Sequence, residues 1–164
     1  MTSSGYVCNG TFEKRMARPH DPQGRPLDNK KSSATDAARY ASAGALLTTA
    51  TDYARFLIEV IDPKVSDAFR LSKASRTEML RPQVKVADGD GYSISWALGW
   101  RIAHTKNGDL ISHGGDTAGF HSFAEASVEG KSGFVILTNG ESGVALIKKL
   151  TPAVSKRLHP LPDR

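Results

Sequence analysis

The stretch Ile111-Ser112-His113-Gly114-Gly115-Asp116-Thr117-Ala118-Gly119-Phe120-His121-Ser122 gathers the residue types that can handle a polarised carbonyl. An apolar run ends at a histidine and two glycines, and a short turn at Gly119 sends the chain back through Phe120. Glycines at a strand edge let a ligand's backbone approach closely. They also leave backbone N–H groups free to point at a developing oxyanion. His113 can supply a hydrogen-bond donor or a proton. A plain hairpin with a tight glycine turn has the same local pattern, and the residues alone leave both readings open.

Metal binding is the rival use of the histidines. His104, His113 and His121 are spaced by nine and eight residues, so paired strands would bring two of them together. There is no His-Glu-x-x-His, and Cys8 is the single cysteine, so no metal is expected. His20 and His159 lie beside prolines and are expected to be solvated. Nucleophile searches fail. There is no Gly-x-Ser-x-Gly elbow and no Ser followed three residues later by Lys. Thr11-Phe12-Glu13-Lys14 has that spacing with threonine, in a segment without helical periodicity. Cys8 has no foreseeable activating neighbour and reads as an inert thiol. No glycine-rich phosphate loop is present, and no cofactor is expected. The residues describe a carbonyl or anion cradle without an attacking group.

The elements that must carry this cradle follow from periodicity. Ala50, Tyr53, Ala54, Leu57, Ile58 and Ile61 repeat as one buried helical face. Thr49 is a good N-cap, Asp52 three residues on completes a box-like pattern, and Pro63 is the stop. A second short helix is expected over 75–81, capped by Ser75 and stopped by Pro82. Residues 93–103, 109–113, 120–127 and 133–138 read as strands. Lys106-Asn107-Gly108, Gly114-Gly115-Asp116 and Glu129-Gly130-Lys131 separate them. Connections this short force antiparallel pairing. A last helix is expected over 142–157, with Pro152 placed to kink or split it. The expected fold is α/β of the α+β type: an antiparallel sheet of about four strands flanked by helices. Residues 1–42 read as an irregular lid or loop segment, punctuated by Pro19, Pro22, Gly24 and Pro26. Residues 43–164 hold the helix–sheet–helix part.

Composition bounds the function classes. A chain of 164 residues and 17.6 kDa buries about 70% of its unfolded surface, enough for one domain with a core. The net charge of +5 lies at both ends. Residues 1–40 hold seven basic and four acidic residues, 41–140 ten and eleven, and 141–164 five and two. Lys30-Lys31 and Lys148-Lys149 lack aromatic neighbours, so no nucleic-acid surface is expected. No apolar run reaches the roughly 20 residues of a membrane span. Met1–Gly5 shows no signal-peptide pattern, and the compartment is left open.

Taken in order, the motifs resemble the C-terminal half of the serine β-lactamase-like family, which holds class C β-lactamases, D-alanyl-D-alanine carboxypeptidases and related esterases. Residues 43–56, AGALLTTATDYARF, are similar to the family's AGGLYSTAEDLARF. Leu98-Gly99-Trp100 resembles its GLGW strand. His113-Gly114-Gly115 stands where the family has Lys-Thr-Gly or His-x-Gly. Gly119-Phe120-His121-Ser122 follows at the family's spacing, and Leu137-Thr138-Asn139 matches its LTN. Ala17-Arg18-Pro19-His20-Asp21 resembles the loop before the helix.

The resemblance implies an acyl-enzyme hydrolase of small-molecule amides or esters. His113 would anchor substrate, and the Asp116 backbone N–H would donate into the oxyanion hole. Gly114, Gly115, Gly119 and Phe120 would line the substrate. His in place of Lys favours an esterase or peptidase over a dedicated β-lactamase. The family's Ser-x-x-Lys and Tyr-x-Asn motifs have no counterpart: Tyr6-Val7-Cys8-Asn9 carries its Asn one place late. The expectation is therefore a segment of a larger hydrolase, inactive alone, that associates with itself or with an N-terminal half. The alternative is a non-catalytic binding or assembly domain that keeps the scaffold.

Overall fold

A computed structural model describes residues 1–8, 10–28, 34–64 and 71–158. In chain order the elements are α1 (Gly10–Glu13), α2 (Ala34–Gly44), α3 (Ala50–Ile61), α4 (Lys73–Leu80), β1 (Val84–Gly89), β2 (Tyr92–Trp96), β3 (Arg101–Thr105), β4 (Gly108–Thr117), β5 (Phe120–Ser127), β6 (Ser132–Thr138) and α5 (Gly143–Ser155). The six strands form one antiparallel meander in sequence order. The expected class holds, but the strand count rises from about four to six.

Two local causes account for the extra strands. The run expected over 93–103 is broken at Gly99, whose φ of +80° turns the chain between β2 and β3. Ala97 N–H closes that turn on Trp100 O at 2.7 Å. β1 is exposed along its whole length, so no buried face imposes a period-2 pattern on its sequence. β4 also runs further than expected. Gly114-Gly115-Asp116 is strand, and the reversal comes only at Ala118-Gly119. The histidine that the sequence placed at a strand end is therefore inside a strand.

Register sorts the sheet's residues onto two faces. Ile102 lies opposite Ile111, and Ile111 opposite Ala126. These three, with Ala124, Ala97 and Trp100, pack with Leu57, Val60 and Ile61 of α3 as the core. The ring of Phe56 stacks on Trp100 at 6.2 Å. α5 covers the other face, where Ser155 Oγ donates to the buried Glu125 carboxylate. α5 continues through Pro152 as one helix from 143 to 155.

The helix starts show what caps do. Thr49 Oγ1 accepts the Asp52 N–H at 3.2 Å, as the sequence suggests. The Asp52 carboxylate, however, does not return to the cap. It accepts Ser3 N–H at 2.7 Å, Ser4 Oγ–H at 2.9 Å and Arg55 Nη1 at 3.1 Å. α4 is capped by Ser72, which accepts Ser75 N–H at 3.0 Å, three residues before the expected cap.

Those Asp52 bonds fasten the beginning of the described chain to the start of α3. Gly5 and Leu47 exchange backbone hydrogen bonds, α1 and α2 are helical, and α2 crosses the expected boundary. The Ser3 backbone bond, with help from Ser4 and Arg55, holds the Asp52 carboxyl below the usual carboxylate range. With the folded value below the unfolded one, the anchor is at full strength above about pH 4 and is lost as pH falls through the folded value. Asp52→Ala should therefore lower the thermal midpoint at pH 7 and flatten its dependence on acid. A variant whose acid profile superimposes on the parent's would show that Asp52 anchors nothing.

Candidate functional site

β4 is longer than its neighbour. Its last partner on β3 is Ser112, paired with Arg101, while β5 accompanies it as far as Thr117. Residues 113–117 therefore overhang β3, with β5 on one side and, among the described residues, no strand paired on the other. Here the sequence has placed two glycines. A Cβ on Gly115 would sit 2.9 Å from Ser122 Oγ, and one on Gly114 3.4 Å from Ser122 O. The bare backbone thus lets β5 approach closely and leaves the open edge without side chains at these two positions.

His113 shares the face of Ile111 and of its opposite number, Ala124. It is exposed, and its ring meets Trp96 edge-on at 5.9 Å. Asp116 lies on the opposite face, and its backbone continues the overhang. Phe120 is half-buried across from Thr117. Gly119 is buried, with a φ of +73° that forms the turn. A Cβ there would lie 2.5 Å from Pro19 Cβ, so the 17–27 loop seals this end of the hairpin.

Sequence reasoning missed the polar cluster behind the overhang. His121 is 6% exposed. Its Nδ1 lies 2.7 Å from Asp116 Oδ1 and its Nε2 3.3 Å from Glu141 Oε2. Glu141 Oε1 accepts Gly119 N–H at 3.1 Å. Counting back from a two-residue turn pairs Asp116 with His121, so half of this cluster was open to inspection. Glu141 carries no local signal. His20 is not simply solvated: its Nδ1 lies 3.0 Å from Asn139 O, and its backbone O accepts Glu141 N–H. His159 lies outside the described residues.

A second cluster has the connectivity of a nucleophile relay. His104 Nδ1 lies 2.9 Å from Asp109 Oδ1 and its Nε2 3.2 Å from Ser95 Oγ. Ser95 is buried in the middle of β2 with strands on both sides. Backbone N–H groups committed to ladders are not available for an oxyanion, so the relay acts as a pin across β2, β3 and β4.

The histidines do not converge. His104 and His113 are about 13 Å apart along the sheet, four residues at strand rise, and His121 faces the other way. Among the described residues no group of three His, Cys, Asp or Glu side chains is arranged to hold a metal ion. No helix among them is long and apolar enough to cross a membrane.

The six-stranded meander lies between α3 and α5, with the His-Gly-Gly strand overhanging β3. The chain belongs to the β-lactamase family, whose model matches residues 9–156. The octameric penicillin-binding protein homologue from Pyrococcus abyssi superimposes with a TM-score of 0.70 at 22% identity, over 94% of this chain and 34% of that one. The D-amino acid amidase from Ochrobactrum anthropi SV3 gives 0.64 at 17%, over 95% and 49%. The β-lactamase/D-alanine carboxypeptidase from Pseudomonas syringae gives 0.60 at 15%, over 84% and 44%. At these identities the likeness is one of fold. This chain spans a third to a half of those structures. No curated protein matches the sequence significantly.

Proposed function

We propose that this chain is the C-terminal segment of a serine hydrolase that works through an acyl-enzyme on small-molecule amides or esters. The observation that carries the reading is the β4 overhang: five residues of open strand edge, two of them glycine, beginning at an exposed histidine. An extended acyl donor can lie along such an edge and satisfy its backbone groups, as an added strand does. His113 anchors and polarises the substrate, with Gly114 and Gly115 permitting its approach. The Asp116 backbone N–H is one oxyanion donor. A serine with a neighbouring lysine, supplied outside this sequence, attacks the carbonyl carbon. The leaving amine or alcohol takes the proton, and water then releases the acid. The reading calls for no cofactor, and the chain by itself is inactive.

A second reading, a binding or assembly domain, draws on one observation. Val84, Val86, Trp96 and Leu98 are all exposed on and beside the β1–β2 hairpin, and β1 is the outer strand of the sheet. An uncovered edge with apolar side chains favours association. A relative with this fold, the Pyrococcus abyssi protein, is described as octameric. Association with a second copy or with an N-terminal half is compatible with both readings.

One experiment separates them. The purified chain is incubated with a fluorescent penicillin and with an activated ester. It is then incubated again alongside a second polypeptide carrying a Ser-x-x-Lys segment of the same family. The hydrolase reading expects no stoichiometric label on the chain alone, Ser95 included, and turnover once the segments are combined. Stoichiometric labelling of any serine in the isolated chain overturns the proposal that it lacks the nucleophile. No turnover from any such combination, with oligomers in sedimentation, favours the assembly domain.

A further inference from the structure

We propose that Asp116, His121 and Glu141 form a clasp that sets the position of the β4 overhang, with His121 as its positioning residue. The inference rests on the reading of that overhang as the docking edge. A strand end paired on one side only and containing two adjacent glycines has little stiffness of its own, because glycine restricts the backbone least. Something behind it must fix where its open N–H and C=O groups point.

The clasp sits there. Asp116 directly follows the two glycines, and its carboxylate is held by His121 Nδ1 at 2.7 Å. His121, on β5, is the cross-strand partner of Asp116 on β4 and of Thr138 on β6. Thr138 Oγ1 donates to His121 O at 3.2 Å. The other ring nitrogen meets Glu141 Oε2, and Glu141 uses its remaining oxygen on Gly119 N–H in the turn. Glu141 N–H is itself fixed to His20 O at 3.0 Å. One buried ring thus joins the overhang, the β4–β5 turn and the segment leading into α5. Asp116 is largely exposed, at 73%. Its side chain is therefore held by this bond and not by packing.

The test needs no ligand. Amide hydrogen exchange is followed across the full chain in Asp116→Ala, Asp116→Asn, Glu141→Ala and His121→Ala. Asp116→Ala and Glu141→Ala should each speed exchange of the overhang amides that pair with β5 by about tenfold, the scale of one lost charge-assisted bond. Rates in α3 and β3 should stay at the parent's values. Asp116→Asn keeps an acceptor for the ring and should restore most of the protection. The two carboxylate positions carry the test if His121→Ala does not fold. Overhang rates unchanged in both alanine variants, acceleration spread evenly over the sheet, or no rescue by Asn would each overturn the clasp. Failure of the docking reading would show separately, as absence of turnover in the combined enzyme with the exchange pattern intact.

Discussion

Replacing Ile111 by alanine should lower the unfolding free energy by about 2–5 kcal/mol, the range for emptying a well-packed core position. Ile111 is 1% exposed. It lies between Ile102 and Ala126 in register and belongs to the same cluster as Leu57, Val60 and Ile61. A domain of this size holds only about 5–15 kcal/mol in total, so the loss takes a large share of the whole. The consequence reaches the site, because His113 follows two residues later on the same face of β4. Urea unfolding would measure the change as a shift in midpoint at constant slope. A loss below about 1 kcal/mol would mean that the cluster under α3 is not the core of this protein.

Gly143→Ala is the second substitution expected to matter, and for the opposite reason. A Cβ there would overlap Thr138 Oγ1 and lie 2.7 Å from Thr138 Cβ and 3.1 Å from His121 Cδ2. Gly143 is the first residue of α5, so the added methyl group must push the start of the helix off the sheet. Overfilling a packed site costs about 1–3 kcal/mol. Adding Thr138→Ala should recover part of that loss, since it removes the overlapping oxygen. The two changes should therefore show a favourable coupling in a double-mutant cycle. Strictly additive effects in thermal unfolding would place α5 further from β6 than the structure does. The same helix start bounds the ring of His121, so the variant should also loosen the overhang.

Much of the fold was legible. The helix over 50–61 shows one apolar stripe bounded by a threonine cap and a proline, and every one of those signals is local. The turns at Lys106-Asn107-Gly108 and Glu129-Gly130-Lys131 carry their own backbone preferences. What misled was also local. Gly114 and Gly115 look like turn residues, and they compete for that role with Gly119, where the reversal falls. They stay extended because β5 pairs with β4 as far as Thr117, beyond the point where β3 stops. Ser72, not Ser75, caps α4, which begins at Lys73; at the far end of the helix Met79 O accepts Leu98 N–H.

The sequence by itself determined the antiparallel meander, the α3 stripe and the family signature, with His113 and its glycines as the candidate site. These depend on spacing, turn chemistry and side-chain period, which are encoded residue by residue. Only the tertiary structure decided which face each candidate residue takes, that they lie on an overhanging edge, and that Asp116 meets His121, whose other ring nitrogen meets Glu141. Those outcomes depend on where neighbouring strands begin and end and on contacts between residues up to twenty or more positions apart. Asp52 makes the same point. Its place in the helix start was readable, but its carboxylate is claimed by Ser3 and Ser4, nearly fifty residues away. A short-range pattern specifies which groups are available, and long-range packing selects their partners.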